Sequence, residues 1–162
     1  METTFTICPL EEKDIPAMRD LFRSTVLNIN LKDYTKEEVE DWASCGNSVE
    51  HFKDLLSQNY FIGAFDEQGH MLGFSSMNEK GYLHSLFVHK NQQGKGIATQ
   101  LLFEVERIAK QYGATEITSE VSLTARPFFE KKGYKVVKTQ KCQANKLKLT
   151  NFVMLKSLIN KE

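Results

Sequence analysis

The hydrophobic positions of this chain follow two rhythms in turn, and the changes between them mark out its elements. Ile15, Met18, Phe22, Val26 and Ile29 recur at three- and four-residue intervals, the spacing of one helix face, with Asp14 placed to cap it. Thr35-Lys36-Glu37-Glu38 has the form of a capping box, which predicts a helix to about Ala43 with Val39 and Trp42 on one face. After the break at Ser44-Cys45-Gly46-Asn47, the positions of Val49, Phe52, Leu55 and Leu56 predict another helix. A short strand, Phe5 to Cys8, precedes all three. Strand patterns then take over: Tyr60 to Phe65 and Met71 to Met77 flank the turn Asp66-Glu67-Gln68-Gly69, and a strand from Tyr82 to Val88 follows the turn Asn78 to Gly81. Helical spacing returns in Ile97, Leu101, Leu102, Val105, Ile108 and Ala109 and stops near Gly113. Ile117 to Val121 reads as a strand. Thr124 can cap a short helix with Pro127 in its first turn, ended by Gly133, and two strands fit Tyr134 to Lys141 and Leu147 to Leu155.

Hairpins combined with crossover helices imply an α/β (α+β) fold with a mixed, mostly antiparallel central sheet and helices on both faces. No linker, repeat or low-complexity stretch interrupts the order, so residues 1–162 are expected to form one domain, long enough to bury a sizeable core.

Composition narrows the function classes. The 21 basic and 21 acidic residues cancel, leaving no global field for nucleic acid or anionic membrane, and the late lysines (Lys135, Lys138, Lys141) read as a solvated strand edge. No apolar run reaches the length of a membrane span and no leader pattern opens the chain. Cys8, Cys45 and Cys142 are far apart and odd in number. That points to free thiols in a reducing, cytoplasmic setting, without metal-ligand spacing. The expectation is no metal, no nucleic acid and no membrane partner.

The most informative stretch is Gln93-Gly94-Lys95-Gly96-Ile97-Ala98, between the strand ending at Val88 and the helix opening at Ile97. A Gly-rich turn at a helix start presents N–H groups without intrahelical partners, and with the helix dipole they suit a phosphate or pyrophosphate. Neither the P-loop spacing nor Gly-x-Gly-x-x-Gly fits, since Thr99 stands where the third glycine would be. Gln93, Gly96 and Ala98 do resemble the Arg/Gln-x-x-Gly-x-Gly/Ala signature of the GNAT acetyltransferases. The segment from Ser122 to Tyr134, with Ala125, Phe129-Glu130-Lys131 and Gly133, is similar to that family's Asn-x-x-Ala-x-x-x-Tyr-Glu-Lys-x-Gly-Phe motif. The run Thr124-Ala125-Arg126-Pro127-Phe128-Phe129 and the element from Tyr34 to Trp42 resemble one bacterial subgroup of it.

The resemblance implies a GNAT-like acyl-coenzyme A acyltransferase fold and direct transfer of an acetyl group from acetyl-coenzyme A to an amine. Backbone groups from Gln93, Gly94, Lys95, Gly96, Ile97, Ala98 and Thr99 would hold the pyrophosphate, and Leu86, Phe87 and Val88 would pair with the pantetheine arm as with an added strand. The N–H near Phe87 would stabilise the oxyanion. Ser122, at the usual Asn position, would hydrogen-bond near the pantetheine. Phe129 stands at the usual Tyr position and has no proton to donate, so the acid is unassigned. His84 suits proton acceptance, with a core histidine as the plainer reading; Tyr82 is either a base or a pocket wall.

Tyr34 and Trp42 would wall an acceptor channel, and Glu38 or Asp41 would attract a cationic amine if they faced it. Such walls favour a small-molecule amine, whereas a flat, open site would favour a protein N-terminus or lysine. The alternative from another class is a non-catalytic acyl-coenzyme A sensor. Exposed sheet edges leave monomer and homodimer both open.

Overall fold

A computed structural model describes residues 4–159. Strand β1 (Thr6–Pro9) is followed by helices α1 (Ile15–Asn28), α2 (Lys36–Ala43) and α3 (Val49–Gln58), then strands β2 (Tyr60–Phe65) and β3 (Met71–Met77). Two short strands, β4 (Tyr82–Leu83) and β5 (Leu86–Val88), lead to α4 (Ile97–Gln111). The chain continues through β6 (Glu116–Ser122), α5 (Arg126–Lys131), β7 (Lys135–Gln143) and β8 (Lys148–Ser157).

Local chemistry explains most of these boundaries. The capping box forms: Thr35 Oγ1 accepts from Glu38 N–H (3.1 Å) and Glu38 Oε1 accepts from Thr35 N–H (2.9 Å). Two expected caps do not form. The Asp14 carboxylate turns back to accept Glu11 N–H (2.8 Å) rather than capping α1. Ahead of α5, Ser122 Oγ accepts Ala125 N–H (3.1 Å), while Thr124 Oγ1 is buried without a partner.

The strand expected from Tyr82 to Val88 is interrupted at His84-Ser85, and this divides the expected central sheet. Strands β1-β2-β3-β5 form one antiparallel sheet; β4-β6-β8-β7 form another, in which only the β4–β6 pairing is parallel. The break has a local cause. Ser75 Oγ donates to Ser85 O (2.7 Å) and Ser85 N–H donates to Ser76 Oγ (3.1 Å), so two serine hydroxyls hold the kinked peptide to β3. Beyond it β5 stays with β3 while β6 continues with β8, and a gap opens between them.

Helices cover both faces. Strand β3, buried at every residue, lies between two apolar clusters. One joins α4 (Ile97, Leu101, Val105) to the sheets and to Phe129 of α5; the other joins α1, α2 and α3 (Met18, Phe22, Val26, Val39, Phe52) to Phe61 and Phe74. Among the described residues no helix is long and apolar enough to cross a membrane.

Candidate active site

The α4 end of the gap is shaped by the turn that precedes the helix. Gly94 and Gly96 have φ of +73° and +83°, left-handed values that favour glycine, and a Cβ at either would meet nothing within 4 Å. The space in front of the turn is open, and the helix that follows has fifteen residues with Gly96 as its N-cap. Gln93 does not reach into this space. Its Nε2 donates to Val88 O (2.7 Å), which ties the turn to the end of β5. Thr25 Oγ1 of α1 donates to the same carbonyl (3.0 Å). Ile97 turns its side chain into the core, so only its backbone faces the turn's concave side.

The strand beside the gap corrects one expectation. Ser76 N–H donates to Ser85 O (3.1 Å) and His89 N–H to Leu72 O (2.8 Å), with Phe74 opposite Phe87 in register. Antiparallel alternation therefore directs the Phe87 N–H toward β3 and leaves the backbone groups of Leu86 and the N–H of Val88 on the open edge, the Val88 carbonyl being taken by Gln93 and Thr25. The expected oxyanion donor faces away from the gap; the N–H nearest the break that faces it belongs to Leu86.

A cavity of about 340 Å³ runs from this gap to the opposite side of the sheets. Leu86, Val121, Ser122, Ala125 and Phe129 line its inner part. Phe129 is buried and packs edge-on to Tyr134 at 5.1 Å. Tyr134 does not restore the hydroxyl that Phe129 lacks, because its OH donates to Glu106 Oε2 (2.8 Å), which also receives Lys156 Nζ (3.0 Å). Burial and the Glu106 carboxylate raise the Tyr134 phenol well above its ordinary value.

The outer part is aromatic. Trp42 meets Phe22, Tyr34 and Phe87 edge-on at centroid distances of 6.4, 5.9 and 6.3 Å. Tyr34 and Trp42 both line the cavity, but the Tyr34 hydroxyl is engaged in the fold: it donates to Thr150 O (2.7 Å) and accepts from Leu123 N–H (2.9 Å). The acidic residues of α2 are not amine traps. Glu38 closes the capping box, and the Asp41 carboxylate accepts the N–H groups of Asn145 (2.9 Å), Lys146 (3.0 Å) and Leu147 (3.0 Å). These contacts dock the β7–β8 hairpin tip against α2 and hold the Asp41 carboxyl below its usual range.

Polar side chains gather on one wall. His84 is an exposed residue whose ring lines the cavity and is partly buried there, its Nδ1 2.7 Å from Ser85 Oγ and its ring 6.2 Å from that of Tyr82. It is not a core histidine. The surrounding recess lowers its pKa from the ordinary 6.5; nearby His51 adds to the effect and Glu120 opposes it. Burial, Glu120 and Cys142 push Tyr82 up to about 12, so its phenol keeps its proton near neutral pH where it lines the cavity. Glu120, Cys142 and Asn151 complete this wall and were not singled out from the sequence. Period-two alternation along Ile117-Thr118-Ser119-Glu120-Val121 could have placed Glu120 opposite the core-facing residues; Cys142 and Asn151 needed the hairpin register. Among the described residues no cluster of His, Cys, Asp or Glu has the arrangement of a metal site.

Known proteins share this architecture. Residues 30–156 match the family model of the acetyltransferase (GNAT) domain. An uncharacterized N-acetyltransferase of Escherichia coli K12, YafP, is 28% identical over 142 residues, covering 87% of this chain and 88% of that protein. A GCN5-related N-acetyltransferase of Rhodopseudomonas palustris superposes with a TM-score of 0.92 at 28% identity, covering 98% of each chain. The PaiA N-acetyltransferase of Thermoplasma acidophilum, solved with coenzyme A, has the same fold at 23% identity, with a TM-score of 0.77 and coverage of 95% and 99%.

Proposed function

Because this chain belongs to the GNAT acetyltransferase family, we propose that it transfers the acetyl group of acetyl-coenzyme A to a small-molecule primary amine by direct attack in a ternary complex. One observation carries the reading: a single cavity joins the gap between β5 and β6 to an aromatic recess on the other side of the sheets.

The residues present fit acetyl-coenzyme A. The N–H groups from Gly94 to Ala98, with those of Thr99 in the first helical turn, would hold the pyrophosphate against the positive end of α4. The backbone groups of Leu86 and the N–H of Val88 would pair with the pantetheine amides along the open edge. Ser122 and Phe129 border the thioester end, Ser122 with a hydroxyl already accepting Ala125 N–H and Phe129 with its ring. The bound thioester supplies an activated acetyl group, and the protein supplies alignment and a place for the oxyanion beside Leu86 N–H.

His84 is the proton acceptor in this reading. Its lowered pKa keeps the imidazole neutral at pH 7, ready to take the proton that the amine loses. A protein lysine or N-terminus is the weaker alternative, because Phe22, Trp42 and Phe52 make the acceptor side a recess rather than a flat face. Calorimetric titration with acetyl-coenzyme A against an adenine nucleotide control, followed by thiol release with amines, tests the reading. Saturable binding with amine-dependent release is expected. No binding by folded protein would overturn it, and binding without turnover of any amine would make the protein a sensor.

A further inference from the structure

We infer that the acceptor is a monocationic primary amine with an apolar, preferably aromatic body, and that Glu120 and Asn151 receive its ammonium group. This rests on the acetyl-transfer reading and specifies its second substrate.

The polar wall has an uneven charge inventory. Among the described residues, Glu120 is the only carboxylate lining the cavity, and no lysine or arginine lines it. One Glu120 oxygen accepts weakly from Cys142 Sγ (3.4 Å), and no other side chain in the described structure donates to that carboxylate. Asn151 adds an acceptor: its Oδ1 is buried with no hydrogen-bond partner. A buried amide oxygen without a donor is unfavourable by itself, and a site that supplies the donor from a ligand resolves it.

The sheet register puts the two acceptors together. Glu120 stands opposite Val153, and Ser122 opposite Asn151, so Glu120 and Asn151 are diagonal neighbours on one face. Cys142 lines the cavity beside them, its sulfur donating to Glu120 Oε2 (3.4 Å). An ammonium with three donors matches a carboxylate plus an amide oxygen. His84 lies on the same wall and can take one of those protons as the nitrogen turns to the thioester.

The rest of the recess selects the body of the molecule. Phe22, Trp42, Phe52 and Leu55 face the polar wall. An aromatic or branched aliphatic group fills that space without stranding a polar atom, while a second ammonium there would be desolvated and unpaired. A zwitterionic amino acid would bring its own carboxylate beside Glu120 with no cation in the lining to receive it. Polyamines and amino acids are therefore disfavoured relative to an amine such as phenethylamine.

The test compares phenethylamine, phenylalanine and spermidine as acceptors with saturating acetyl-coenzyme A, in the wild type and in Glu120→Gln and Asn151→Ala. Phenethylamine is expected to have the highest kcat/KM by about tenfold or more. Glu120→Gln should raise its KM about tenfold or more, Asn151→Ala less, with the KM for acetyl-coenzyme A unchanged. A preference for phenylalanine or spermidine, or an unchanged phenethylamine KM in folded Glu120→Gln, would overturn the inference. Calorimetry of phenethylamine into the coenzyme A-saturated protein reads the same site independently of turnover. Saturable binding weakened by Glu120→Gln supports the site, and no binding refutes it. Failure of acetyl-coenzyme A itself to bind refutes the transfer reading instead.

Discussion

The turn ahead of α4 and the recess around Trp42 are built in contrasting ways. The turn consists of neighbouring residues, and two left-handed glycines with one side-chain tie from Gln93 to Val88 O define it. The recess draws Phe22 from α1, Trp42 from α2, Phe52 from α3, His84 from the break after β4, Glu120 from β6 and Asn151 from β8. A change in the turn therefore acts on one ligand contact, whereas a change in the recess acts on the pocket and on the packing of the elements that supply it.

The sharpest separation of the two regions should come from His84→Gln. The acetyl-transfer rate at neutral pH should fall roughly 10²-fold, the low end for loss of a general base, with acetyl-coenzyme A affinity unchanged. Because the His84 pKa is lowered, the wild-type rate should hold through neutral pH and fall only as pH drops through a midpoint below 6.5. That acid limb should vanish in the variant; a pH profile identical to wild type would make His84 a structural residue.

Gly96→Asp should give the opposite result. A left-handed Asp at the positive end of α4 would take up that end with its own negative charge and repel the pyrophosphate, and should weaken acetyl-coenzyme A binding by roughly 2 kcal/mol. Isothermal titration checks it, and equal affinity in the folded variant would move the cofactor elsewhere.

Trp42→Ala tests the coupling of pocket and fold. Trp42 is half-buried among Phe22, Tyr34 and Phe87, so its loss should lower unfolding stability by about 2 kcal/mol, below the range for a fully buried Trp. Denaturant unfolding measures this, and the amine KM should rise in the same variant. A raised KM with unchanged stability would show the recess to be independent of the core.

The smallest effect is expected from Asp41→Asn, which keeps the shape of the dock and removes its charge. Hydrogen exchange at the amides of Asn145, Lys146 and Leu147 should quicken in the variant, and acetyl-coenzyme A binding should not change. The folded Asp41 carboxyl titrates below its ordinary value of 3.8, so the charged dock is fully present above that value and is lost as pH falls through the folded one. Protection in the wild type should thus survive at mildly acidic pH; equal exchange in both proteins would deny Asp41 its role.

The same contrast explains what could be read before the fold was known. The Gly turn, the Thr35 capping box and the amphipathic face of α4 depend on residues close in sequence, and pattern alone located them. The break at His84-Ser85 could not be read that way, since the bonds that hold it come from Ser75 and Ser76 on β3. Asp41 looked like a free carboxylate because its partners lie over a hundred positions away, at Asn145 to Leu147. The Phe87 N–H was misdirected for a related reason: its orientation follows from the register with Phe74, which no property of Phe87 encodes.

The Asp41 dock has a consequence for how this protein can diverge. The carboxylate grips main-chain groups, which every residue except proline provides, so the side chains at Lys146 and Leu147 are excused from holding the hairpin in place, and Asn145 adds only one side-chain bond, from its Nδ2 to Ser44 Oγ (2.9 Å). Adjacent positions such as Gln143 and Ala144 line the cavity. Lineages can therefore exchange residues at this tip, and re-line the chamber for a different guest, while the anchorage beneath it stays the same.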